Sequence, residues 1–111
     1  MKITLVKKIK QDGSLCKKCE EVQQKMEAAG QMAFIDEVLI ADERDPSSPG
    51  MELASLYQVE RAPFFVVERD GQPAEIHTVY FKFVKEVLNQ KTQEKDELKE
   101  ILNDNPDLDF I

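Results

Sequence analysis

The chain carries two cysteines, three positions apart, in the stretch Ser14-Leu15-Cys16-Lys17-Lys18-Cys19. Residues i and i+3 of a helix are surface neighbours, so thiols at this spacing can close a reversible disulfide across one turn with little backbone movement. Thiol–disulfide exchange needs an accessible sulfur that is favoured as an anion. The mouth of a helix provides this through unpaired N–H groups and the positive end of the macrodipole. Cys16 and Cys19 are therefore the candidate catalytic residues. Lys17 and Lys18, between them, add positive charge, although a cation in a first helical turn forgoes roughly 0.3–1 kcal/mol of favourable end charge. These two lysines are read as tuning Cys16 toward its thiolate, with Glu20 and Glu21 partly cancelling their field.

Periodicity on either side supplies the elements that must position the pair. Residues 2–9 hold Ile3, Leu5, Val6 and Ile9 with a β-branched bias and read as a strand, closed by the turn signal Asp12-Gly13. Ser14 is the expected N-cap of a helix whose apolar positions are Leu15, Cys19, Val22, Met26 and Ala29, with Gly30 at its end. That stripe separates the thiols. Cys19 lies on it and is expected to face the core, whereas Cys16 lies off it, at the solvent-facing lip. Cys16 is thus the expected attacking sulfur and Cys19 the resolving one.

Residues 32–41, with the run Val38-Leu39-Ile40, suit a strand flanked by others, and residues 42–50 are polar and proline-rich, a surface loop. Residues 51–59 read as a short helix. Arg61-Ala62-Pro63 then opens the β-forming run Phe64-Phe65-Val66-Val67, and Asp70-Gly71 signals a hairpin to a returning strand at residues 74–79. Tyr80, Phe83, Val84, Val87 and Leu88 mark one face of a helix ending near Asn89. A last helix is expected at residues 93–102, stopped by Asn103-Asp104-Asn105-Pro106.

The predicted order is β-α-β-α-β-β-α plus a C-terminal helix: an α/β chain in which a parallel opening unit and an antiparallel hairpin form one mixed four-stranded sheet flanked by helices. At 111 residues it is expected to form one domain over residues 1–92, followed by a helix and acidic tail at residues 93–111. The formal charge of −7 argues against nucleic acid, since phosphate binding needs a cationic face. No run of about 18 apolar residues predicts a membrane span, and the first dozen residues read as a lysine-flanked strand with no signal-peptide core. A cytoplasmic location is the expectation. In that reducing compartment the thiols serve catalysis, redox sensing or metal binding rather than a permanent brace.

Cys16-Lys17-Lys18-Cys19 opening the first helix, together with Ala62-Pro63 opening the third strand, resembles the thioredoxin-like fold. The absence of an extra β-α unit before the first strand is similar to the glutaredoxin branch. The resemblance covers about residues 2–89. It implies a thiol-disulfide oxidoreductase of cell redox homeostasis, a monomer without cofactor or bound metal. Its partners would be a disulfide-bearing protein or small molecule and a dithiol or reductase electron donor. It further implies that Pro63 is a cis-proline beside the disulfide and that the backbone of Ala62 pairs with an extended substrate. The chain departs from single branches of the family. Leu15 replaces the tryptophan of thioredoxins, the first strand offers Thr4, Lys7 and Lys8 but no aspartate as proton relay, and His77-Thr78-Val79-Tyr80 stands where glutaredoxins hold glutathione.

Other readings remain for the same residues. The fold could dock a protein partner, with the thiols idle or acting as a redox sensor. A zinc ion needs four ligands, and Cys16, Cys19 and His77 supply only three soft or borderline donors, so a metal site would need a second chain. Asp36 and Glu37 are available as a proton relay but are expected on a strand's solvated face or at its start, and His77 is expected to be an ordinary strand residue.

Overall fold

The computed structural model describes residues 1–89; the expected helix at 93–102 and its acidic tail lie outside the described residues. The chain divides into two compact units, Met1–Thr78 and Val79–Ile111. In the first unit the elements are β1 (Lys2–Ile9), α1 (Lys17–Ala28), a 3-10 turn (Gln31–Phe34), β2 (Glu37–Asp42), α2 (Pro49–Tyr57), β3 (Phe64–Glu68) and β4 (Glu75–His77). The second contains α3 (Tyr80–Glu86).

The strands form one sheet in the order β2-β1-β3-β4. Central β1 pairs in parallel with β2, Val6 opposite Leu39, and antiparallel with β3, Val6 opposite Phe64. β3 pairs antiparallel with β4, Phe65 opposite His77. The expected mixed α/β architecture, with a four-stranded sheet and three helices, is therefore present. β2, however, is an edge strand and not one flanked by others, and Val38 is 42% exposed. Its apolar run is explained by a single covered face: Leu39 and Ala41 alternate onto the side that α2 covers.

Alternation along β1 decides what each side of the sheet can hold. Val6 joins Ala41, Phe64 and Val66 in a cluster packed against Leu39, Met51, Ala54 and Tyr57. Each such fully buried aliphatic or aromatic side chain contributes roughly 1.5–3 kcal/mol, so this layer fixes the central strand. Lys7 points to the opposite side, where its Nζ donates to Gln23 Oε1 of α1 at 2.8 Å.

Helix α2 starts two residues earlier than its apolar spacing predicts. Pro49 takes the first helical position, where its missing N–H costs nothing. Buried Ser48 precedes it, its Oγ donating to Asp45 O at 2.8 Å and accepting from Asp42 N at 3.0 Å. The first turn then lies directly on the β2 backbone, for a Cβ on Gly50 would stand 2.3 Å from Ala41 N. In the second unit Phe81, Phe83 and Val84 are buried, and Lys85 Nζ lies 5.7 Å from the centroid of the Phe81 ring. α3 stops at Glu86, short of the expected Asn89, because Phe83 O accepts from both Val87 N and Leu88 N and Asn89 turns to positive φ.

Candidate active site

Between β1 and α1 the chain doubles back on itself. Asp12 Oδ1 accepts from Ser14 N at 2.9 Å and from Ser14 Oγ at 2.6 Å, and Gly13 takes φ 86°. Leu15 then bridges antiparallel to Ile9, so neither Ser14 nor Leu15 belongs to the helix. Ser14 is therefore not the N-cap. Its side chain is already engaged in an Asx turn, and Cys16 caps the helix instead, with its carbonyl accepting the first helical bond from Glu20 N at 3.1 Å. At the other end Ala29 is exposed and Gly30 adopts φ 70°, the left-handed residue just past the helix.

This placement puts the Cys16 sulfur at the positive end of α1, half-buried, while Cys19 one turn on is 1% exposed. Both are free thiols. One residue of β1 fixes them together: Lys8 O accepts from Cys16 N at 2.9 Å, and Lys8 N donates to Cys19 Sγ at 3.3 Å. Burial pushes the Cys19 thiol up to about 12; the neighbouring Cys16 thiol, acting by charge and by a side-chain hydrogen bond, pushes the same way. The Lys8 N–H and, less strongly, the Lys7 ammonium act in the opposite direction.

The residues singled out elsewhere in the sequence arrive at the same place. Cys16 Sγ lies 4.0 Å from Ala62 O, 46 positions away. The Ala62–Pro63 peptide bond is cis, and Pro63 is buried. Lys17 and Lys18 occupy the first two helical positions, Lys17 exposed and Lys18 half-buried. Beside Ala62 opens a groove of about 730 Å³ whose lining includes Lys8, Glu43, Met51, Val59 and Arg61.

Asp36 and Glu37 are not brought here. Asp36 Oδ2 accepts from Ile3 N at 2.7 Å, and Glu37 pairs with Lys2 at 2.8 Å, both at the opposite end of β1. His77 sits on β4 with Nε2 3.2 Å from Glu75 Oε1. Among the described residues no three His, Cys, Asp or Glu side chains group as metal ligands, and no helix is long and apolar enough to cross a membrane.

Sequence reasoning passed over Lys8 as the residue that ties both cysteines, and Glu43 and Arg61 as groove walls. Lys8 acts through its peptide group, which carries no side-chain signature. The groove forms where α2 and residues 58–62 meet the ends of β1 and β2, and the position of Arg61 beside Ala62 was its one legible trace. No model of a known protein family matches the chain, and a search among curated proteins gives no match.

Proposed function

We propose that this chain is a thiol-disulfide oxidoreductase of the thioredoxin-like fold. The observation that carries the reading is a reachable sulfur, Cys16, at the N-terminus of α1 with a sealed sulfur, Cys19, directly behind it. The strand order with antiparallel β3 and β4, and the Ala62 carbonyl beside Cys16, support the same reading.

The cycle has two displacements. The Cys16 thiolate attacks one sulfur of a substrate disulfide, forming a mixed disulfide and expelling the other sulfur as a thiolate, which takes up a proton. Cys19 then loses its proton and attacks Cys16 Sγ. The bond to the substrate breaks, the second substrate thiolate leaves and is protonated, and the Cys16–Cys19 disulfide remains. Two electrons have passed to the substrate, and a dithiol or reductase donor returns them to the pair. Lys17 and Lys18 add positive charge at the attacking sulfur, and the Ala62 backbone with the adjoining groove receives the chain that bears the disulfide. Substrates are proteins or small molecules with accessible disulfides, and the reducing cytoplasm is the compartment in which such a dithiol stays poised.

Cys16→Ser and Cys19→Ser variants test the reading against a disulfide substrate. Loss of exchange in the first, with accumulation of a mixed disulfide in the second, is expected; full reductase activity in Cys16→Ser overturns the assignment. The groove beside Ala62 favours one second reading, a redox-sensing module that docks a protein only in one thiol state. Stoichiometric oxidation without turnover in the presence of excess dithiol would select it.

A further inference from the structure

The second displacement asks for an anion at Cys19, in the most enclosed part of the site. Two features act on this sulfur in that direction, the Lys8 N–H and the charge of Lys7. The peptide group is fixed in the strand. Lys7 is a side chain, and its place is built.

Alternation along β1 sends Lys7 to the α1 side, where Nζ donates to Gln23 Oε1 at 2.8 Å. Gln23 is oriented in turn, since its Nε2 donates to Glu27 Oε1 at 2.9 Å. Cys19 and Gln23 are i and i+4 on α1, neighbours on one helical face, so the amide that holds Lys7 stands one turn from the resolving sulfur. The polar groups acting on Cys19 are the Cys16 thiol from the helix mouth and the Lys8 peptide and Lys7 from β1, and Glu27 is linked to Lys7 through Gln23. Asp36, just before β2, and Glu37, its first residue, are occupied at the far end of β1.

We propose that Lys7, held by Gln23, is the positioning residue that supplies the positive charge against which Cys19 reacts in the second displacement. The inference rests on the oxidoreductase reading and adds a division of labour to it: Lys17 and Lys18 serve the attack by Cys16, Lys7 the resolution by Cys19. The Cys19 proton passes to solvent and the departing substrate thiolate recovers one, so bonds and protons balance without an added reactant.

The test is rapid mixing of the reduced full-length chain with a symmetric nitrobenzoate aryl disulfide, whose released thiolate is coloured. The first equivalent of colour reports attack by Cys16, and the second reports resolution by Cys19. In Lys7→Gln the first phase is expected to keep its rate, while the second slows roughly tenfold near neutral pH and its rising limb moves up by about one pH unit. Lys7→Arg should restore most of the rate, and Gln23→Ala should fall between the two. A folded Lys7→Gln protein whose second phase and pH profile match the wild type overturns the proposal. If Lys7→Gln does not fold, Gln23→Ala decides, and a wild-type profile there overturns it equally. A wild-type chain that releases no first equivalent defeats the oxidoreductase reading and this inference together; two equivalents released regardless of Lys7 defeat this inference alone.

Discussion

Lys8 N donates to Cys19 Sγ at 3.3 Å, and that bond sets the depth at which the second sulfur of the pair is held. It ties α1 to the central strand at the helical turn that carries both thiols, while the carbonyl of the same residue receives Cys16 N. The strand thereby sorts two chemically identical groups into unlike environments, one at the helix mouth and one sealed. Their separate roles follow from this sorting.

Trapping is the first consequence. With Cys19→Ser the mixed disulfide at Cys16 has no internal sulfur to displace it, so the variant incubated with a disulfide-bearing protein should gain the partner's mass and lose it on treatment with excess dithiol. Cys16→Ser should gain none. Intact-protein mass spectrometry reads both, and an adduct on Cys16→Ser equal to that on Cys19→Ser would contradict the assignment of the outer sulfur.

The pH dependence of stability follows from the Cys19 environment. Its thiol is pushed up from 9.0 to about 12, so the folded protein keeps a proton that the unfolded chain releases in this window. The folded state then binds more protons, and stability falls as pH rises from about 9 toward about 12, by at most roughly 1.4 kcal/mol per pH unit from this group. Below that window its contribution is fully present. Urea midpoints of wild type and Cys19→Ala, compared across the range, should converge as pH increases; a constant gap would show that Cys19 does not titrate as its burial requires. In the same native protein near neutral pH, iodoacetamide should modify Cys16 well before Cys19.

Gly50 provides a test of the scaffold that leaves the thiols untouched. A Cβ there would meet Ala41 N at 2.3 Å and Ile40 O at 2.6 Å, both backbone atoms that cannot move aside. Gly50→Ala should therefore push α2 off β2 and destabilise the protein by about 1–3 kcal/mol or more, visible as a lowered urea midpoint. Retention of the wild-type midpoint would mean that α2 does not seat on β2 as described.

Much of this arrangement was legible in residue order. Alternating β-branched residues announced β1, the stripe through Cys19, Val22 and Met26 announced α1 and separated the two sulfurs, and Pro63 before Phe64-Phe65-Val66-Val67 announced β3. What escaped depended on partners distant in sequence. Ser14 has the side chain of an N-cap, but Asp12 engages it first and the Ile9–Leu15 bridge delays the helix to Lys17. An apolar run such as Val38-Leu39-Ile40 states that a strand has a covered face; it does not state how many strands lie beside it. Lys8 acts through its peptide, and Lys7 could be assigned to α1 only once β1 and α1 were placed.

The most direct test of the central claim is a redox titration of the wild-type chain against a dithiol buffer series, read by intact mass and free-thiol count. The account predicts a monomer that loses two hydrogens on oxidation, with a Cys16–Cys19 link in the peptide map and a reversible two-electron transition in which a tenfold change in the equilibrium constant spans about 30 mV. Retention of both free thiols under oxidising buffer, or oxidation only to covalent dimers, would contradict it.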